Sequence, residues 1–336
     1  MAKRKTYEYI FADAFIGSFS KNLMTKKDLM RVIMCKDLDV AESILREYGY
    51  GRADELKEGD VEAFIRREQN KLFKLIYNTV PDHSELALCL YPFDYHNVKV
   101  CLKAEFLGVT PDDHRLMSTG EIDRRKLVAM IRDRNYMFMS RHMKEGIIEA
   151  EDLFSRGKDP RDIDIVLDRA CYRDMLEAAE ATKEDFLISM VKTKIDTINL
   201  SSFVRLRQLG KPWEFFKKIF IEGGYVAQNL YISCYEEPYE QAAEKFAPFG
   251  YDRILSEGAS KLAKTGDFAL FEKMRDDKLM EINKRAKFDL FGLTAIAGFW
   301  YGKELEIDNL RIILKGKLFD IPAEQIEERL REPYYV

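Results

Sequence analysis

One segment is written three times along this chain, and that repetition limits its possible folds more than any single motif does. DYHNVKVCLKAEFLG at residues 94–108 recurs as DTINLSSFVRLRQLG at residues 196–210, with the acid, the Asn, the basic residue and the Gly at identical offsets. A third copy, ELEIDNLRIILKGKLFD, keeps Glu306, Asn309 and Lys315 in the same relation and puts Asp320 where Gly108 and Gly210 stand. The three Asn, at positions 97, 199 and 309, are separated by 102 and then 110 residues. Units of similar sequence tend to bury similar faces against one another, so the repeat implies three helical units in a pseudo-threefold arrangement.

Each copy reads as an amphipathic helix. Counting from the Asn, offsets +1, +4 and +5 are apolar in every copy: Val98, Cys101 and Leu102; Leu200, Phe203 and Val204; Leu310, Ile313 and Leu314. These positions form one stripe at helical spacing. The basic residue at +6 (Lys103, Arg205, Lys315) falls about 120° from the Asn around the helix, on a different face. Asp94 and Asp196 are expected to cap first helical turns, whose free N–H groups they can accept. Gly108 and Gly210 suit the left-handed residue that closes a helix. Asn97, Asn199 and Asn309 border the stripe, where a side-chain amide can bond neighbouring backbone. With Asp94, Asp196, Glu306, Gly108 and Gly210 they are structural candidates, whereas Lys103, Arg205 and Lys315 are candidates for a partner interface.

Helix formers fill the rest of the chain, and glycine and proline are scarce. DVEAFIRREQNKLFKLIYNTV and DIDIVLDRACYRDMLEAAEA both place apolar residues at helical intervals. The fold class is all-α. Three units are expected, over residues 1–120, 121–225 and 226–336. The longest apolar run, Leu290 to Gly302, has 13 residues and is too short to span a bilayer roughly 30 Å thick. It is expected to be a buried helix or, at most, a membrane-proximal surface.

Composition narrows the function. A hydrophobic share of 46% with 33% charged residues is globular. A formal charge of −4 argues against a general nucleic-acid binder, which carries a basic excess. Five cysteines at wide, irregular spacings do not form a disulfide framework, and reduced, mostly buried thiols are expected. No phosphate-binding loop is written; the Gly223-Gly224 pair follows a helix and reads as a turn. His83, Cys89, His96 and Cys101 are not the close pairs of a zinc site. SFSK at residues 18–21 lacks the companion motifs of serine acylases. Neither Glu149, Glu151 and Asp152 nor Glu236 and Glu237 has a nucleophile to serve. No catalytic residue, cofactor or metal is expected.

Several stretches together resemble the C subunit of V-type and A-type ATPases, equivalent to the d subunit of the eukaryotic vacuolar pump. They are SKNLMTKKDLMRVIMCKDLDVAESIL, YPFDYHNVKVCLKAEFLG, IDIVLDRACYRDML, IDTINLSSFVRLRQLGKPWEFFKKIFIEGGYV and YGKELEIDNLRIILKGKLFDIPAEQIEERLREPYYV. The resemblance implies a non-catalytic, central-stalk rotor component: a helical funnel seated on the membrane ring of proteolipid subunits, into which the central shaft of the soluble head docks. It also implies a protein held at the cytoplasmic side of the membrane by its complex, without transmembrane insertion, and monomeric when isolated. The alternative is a helical-repeat scaffold in a cytosolic complex. Where many members carry an arginine-containing run, this chain has FIGSFSKN at residues 15–22, so contacts of the N-terminal helix do not carry over.

Overall fold

Helix starts here are set by short acceptor side chains. Asp37, Asp60, Asp123, Ser140 and Asp159 each accept a hydrogen bond from a first-turn N–H of the helix that follows, and Thr25 closes a capping box with Asp28. These bonds satisfy donors that every helix start leaves open. The computed structural model describes residues 2–51, 54–288 and 292–335 and, within them, all side chains but those of residues 2–8, 55 and 57. Among the described residues every regular element is helical, without a strand, and no helix is long and apolar enough to cross a membrane.

The chain divides into two compact units, one formed by Met1–Pro81 with Glu237–Val336, the other by Asp82–Glu236. The first contains α1 (Ala2–Ser20), α2 (Lys26–Met34), α3 (Leu38–Glu47), α4 (Asp54–Lys57) and α5 (Val61–Thr79). The second holds α6 (Ala87–Phe106), α7 (Arg124–Arg132), α8 (Arg141–Gly157), α9 (Pro160–Thr182), α10 (Asp185–Gln208), α11 (Trp213–Ile219) and α12 (Gln228–Ser233). The first unit is completed by α13 (Tyr239–Phe246), α14 (Ser260–Thr265), α15 (Ala269–Asn283), α16 (Leu293–Leu318) and α17 (Ala323–Arg329).

In the first unit α16 is the axis, packed by α5, α1 and α2. Its first half is the long apolar run: Ile296, Ala297, Phe299 and Trp300 are buried, while Leu290 and Phe291 of that run lie outside the described residues. A Cβ on Gly302 would come within 3.0 Å of the Tyr334 ring, so the missing side chain makes the seat into which the C-terminal strap lays its aromatic residue. In the second unit α9 is central, packed by α8, α6 and α10. It buries Ile163, Val166, Leu167, Ala170, Cys171 and Met175 on one stripe. Phe203, Phe216, Phe220, Tyr231 and Tyr235 form an adjoining aromatic cluster, with ring centroids 5.1–6.2 Å apart. All five cysteines are free thiols, and four are buried.

One expectation is corrected. Asp94 and Asp196 do not cap helix starts, because α6 begins at Ala87 and α10 at Asp185. Both acids lie in helix interiors and serve donors outside their own helix.

Candidate functional site

The three marked helices are fastened to other parts of the chain by one repeated device. Asn97 donates its Nδ2 to the Met117 carbonyl at 3.0 Å and accepts the Met117 N–H on Oδ1 at 2.7 Å. Asn199 grips Ile221 in the same two-bonded way, at 2.7 and 2.9 Å. Asn309 grips Arg331 at 3.1 and 2.9 Å. A primary amide is suited to this task, since it presents a donor and an acceptor side by side to one residue's backbone pair. All three Asn are fully buried, and a buried backbone pair left unsatisfied would cost roughly 1–3 kcal/mol.

The residue three before each Asn fastens the start of another helix. Both oxygens of Asp94 accept N–H groups, from Glu121 at 2.9 Å and Ile122 at 3.2 Å. Asp196 accepts those of Tyr225 at 3.0 Å and Val226 at 3.1 Å. Ile122 and Val226 each directly precede the N-cap of a helix, Asp123 for α7 and Ala227 for α12. A glycine comes just before each gripped pair. A Cβ on Gly120 or Gly224 would overlap Oδ1 of Asp94 or Asp196, so the close approach of backbone to carboxylate requires glycine there.

In the third copy the N-terminal segment supplies the fastened backbone. Glu306 accepts the N–H of Met24 at 2.5 Å, across 282 residues of sequence. Met24 directly precedes Thr25, the N-cap of α2, and so occupies the place of Ile122 and Val226. The longer Glu side chain also accepts the Tyr50 hydroxyl and pairs with Lys303 at 2.6 Å, whose ammonium lies 4.0 Å from the centre of the Tyr50 ring. Burial, followed by the charge of Glu306, holds the Tyr50 hydroxyl well above its ordinary pKa.

The helix ends repeat as well. Gly108 and Gly210 have φ of +68° and +61°, and Asp320 takes the same left-handed conformation at +52°. Each donates its N–H to a carbonyl three residues back, while the next residue reaches back five, to Ala104, Leu206 and Gly316. This is a Schellman closure in all three copies. The residue before each closing residue, at +10 from the Asn, is a large exposed hydrophobe: Leu107 at 77%, Leu209 at 69% and Phe319 at 70%.

The basic residues fall elsewhere. Lys103 pairs with Asp164 of α9 at 2.6 Å, one turn from Lys99 with Asp168 at 2.5 Å. Lys315 and Arg311 share Glu62 of α5, at 2.6 and 3.3 Å. Arg205 is exposed on α10. The Lys103 and Lys315 pairs are about 40% exposed on both sides, and such ion pairs contribute at most about 1 kcal/mol.

The carboxylates of this arrangement are engaged by backbone. Burial pushes the Asp94 carboxyl up to about 7 against the opposing pull of the Glu121 and Ile122 N–H groups, which is the range of a general base. It borders a cavity of about 790 Å³ shared with Tyr91, Glu121, Met130, Phe138 and Met143. No His or Cys lines that cavity, and both Asp94 oxygens are already engaged by backbone. Among the described residues no three His, Cys, Asp or Glu side chains converge as metal ligands would.

The sequence matches the ATP synthase (C/AC39) subunit family over residues 12–329. The chain belongs to that family. Among its relatives are the C subunit of the V-type sodium ATPase of Enterococcus hirae, 22% identical and aligned over 97% of this chain and 99% of the other, and the C subunit of the A-type ATP synthase of Methanocaldococcus jannaschii, 25% identical over 96% and 86%. A third, the C subunit of the A-type ATP synthase of Haloferax volcanii, is 24% identical over 73% of each chain. All three carry the same C-subunit name.

Sequence reasoning named the three Asn, the three acids and the closing residues, but it missed what they hold. Gly120 and Gly224 were findable, since TGEI at 119–122 and GGYV at 223–226 stand at nearly equal distances beyond Asp94 and Asp196. Met24 and Tyr50 carried no such signal, because they lie at the other end of the chain from Glu306.

Proposed function

We propose that this family member is the non-catalytic central-stalk component of a V-type or A-type ATPase. In this reading it joins the rotating shaft of the soluble head to the membrane proteolipid ring, at the cytoplasmic side of the membrane, in ATP-driven ion transport or ATP synthesis. It would work as three similar helical units, at residues 1–120, 121–225 and 226–336, forming a funnel with pseudo-threefold symmetry.

The observation that carries the reading is the family match over nearly the whole chain, with near full-length alignment to relatives of that name. The repeated fastening supports it. A part that transmits torque must resist shear between its helices, and a two-bonded amide clamp holds two backbones in both position and register. Partner contact suits the exposed hydrophobes at +10 and the bases Lys103, Arg205 and Lys315. A transmembrane span would play no part in its association with the membrane, and the isolated chain would be a monomer that neither binds nor hydrolyses ATP.

The test is depletion and add-back on the purified complex in vesicles. Without this protein, ATP hydrolysis by the head should persist while ion transport stops, and adding it back should restore transport. Transport that continues at the full rate in its absence would refute the coupling role.

A further inference from the structure

Among the described residues, the outer face of α1 is left largely open. Its inner face is buried through Tyr9, Ala12, Asp13 and Ile16. Between these, Ile10 is 48%, Phe11 72% and Phe19 36% exposed, with Ala14, Gly17 and Ser18 exposed beside them. Phe11, Phe15 and Phe19 form a ridge at i, i+4 and i+8, the first pair stacked at 5.8 Å between centroids and the second edge-to-face at 5.0 Å. A helix that is apolar on both faces is ordinarily covered on both, and the described fold covers one.

The surrounding charge indicates the covering. From Ile10 to Phe19 the only charged residue is Asp13, whose carboxylate is turned inward to accept the Gly292 N–H at 2.9 and 3.0 Å. That bond fastens the start of α16 to α1, and four residues before Gly292 stands Phe288, 87% exposed, near the exposed Arg285. The first 27 residues carry six bases, Lys3, Arg4, Lys5, Lys21, Lys26 and Lys27, against two acids, in a chain whose net charge is −4; Lys21 and Lys27 are exposed, and Lys26 pairs with Glu327 at 3.4 Å. Exposed aromatic residues between clusters of Lys and Arg are the pattern of a helix lying in an anionic lipid interface. This stretch of ten residues, whose one charge is turned inward, is about 15 Å long, enough to lie in the interface plane and too short to span it.

We propose that the outer face of α1 contacts the membrane directly, its Phe ridge seated among acyl chains and its flanking bases on anionic headgroups. This contact needs no protein partner, so its failure leaves the coupling role untouched.

The experiment is co-sedimentation of the isolated full-length chain with phosphatidylcholine vesicles, with and without phosphatidylglycerol. The wild type should bind the anionic vesicles, and more weakly as salt is raised. A Phe11→Ser/Phe19→Ser variant, whose melting should match the parent, should partition about tenfold less. A Met137→Ser/Phe138→Ser control, at positions 72% and 75% exposed in the other unit, should bind as the wild type does. In a Phe11→Trp variant, anionic vesicles should shift the emission to shorter wavelength. The proposal is overturned if the wild type stays in the supernatant with both vesicle types, or if the control loses as much binding as the Phe variant. It is also overturned if the Phe variant keeps its vesicle binding but loses retention on detergent-purified proteolipid ring, which would make the face a protein contact.

Discussion

The first two copies of the repeat and the third reach the same bonds by different routes. Asp94 and Asp196 hold turns that follow within 30 residues, so those helices fasten their own downstream chain. Glu306 holds Met24 across 282 residues. Closing a loop ten times longer costs about 2 kcal/mol more in chain entropy, a cost shared by all contacts that hold residues 1–81 against residues 237–336. The third carboxylate has correspondingly more partners, with Tyr50 and Lys303 added to the backbone N–H. What persists across the copies is therefore a bonded position before a helix start, whatever part of the chain supplies it.

The sharpest way to break that comparison is to remove the third acid. Glu306→Ala leaves Lys303, the Tyr50 hydroxyl and the Met24 N–H without their acceptor, and should cost about 3–5 kcal/mol in urea unfolding. Limited proteolysis should then cut near residues 20–25 while sparing residues 118–124. Equal cutting at both places would mean that the copies are not separately fastened.

A pH series sharpens the first copy. The folded-state pKa of Asp94 is raised from 3.8 to about 7, so the folded protein binds the proton more tightly than the unfolded chain does. Stability from this group is complete below about 4 and is lost as pH rises through about 7, on the order of 1 kcal/mol per pH unit within that window. Asp94→Asn should be less stable than the parent at low pH, since an amide N–H₂ replaces one acceptor, yet show a flatter stability profile from pH 4 to 7. An unchanged slope would show that Asp94 is not the titrating group.

The Asn clamps should come next. Asn97→Ala, Asn199→Ala and Asn309→Ala should each cost roughly 1–3 kcal/mol. The largest loss should fall on Asn199, whose bonds are both buried, whereas those of the other two are partly buried. Chemical denaturation of the three single variants measures this, and a neutral Asn199→Ala would contradict the clamp.

The smallest effect has the opposite sign. Asp320 stands at φ +52° where its counterparts are glycine, and a non-glycine residue in that conformation costs about 1 kcal/mol. Asp320→Gly should raise stability by about 0.5–1 kcal/mol, while Gly108→Ala and Gly210→Ala should lower it by a similar amount. Thermal melts of the three variants test the matched set.

These residues also show how far the sequence could be read. Helical class, the apolar stripes and the closing residues were legible because each is local, set by periodicity and by the backbone conformation of one residue. The role of Asp94 was misread because an acid near an apolar stripe looks the same whether it caps its own helix or accepts from a distant turn, and only the true helix start at Ala87 separates the two. Glu306 with Met24 was out of reach, since nothing in a periodic pattern says that the third period is completed by a segment so far upstream. The ion partners of Lys103 and Lys315 were equally hidden, because they depend on which helices pack together.

The bond between Glu306 and Met24 also sets an order of events on the ribosome. Asp94 can find its turn as soon as residue 122 has emerged, 28 residues later, whereas the Met24 N–H must wait for its acceptor until Glu306 is made, 282 residues later. At about 5–20 residues per second that wait is roughly 15–55 s. Throughout it the N-terminal segment, with the aromatic ridge of α1, has been synthesised while α16, against which it packs, has not. The face of α1 that packs on α16 is therefore without that partner for most of the time the chain is being made.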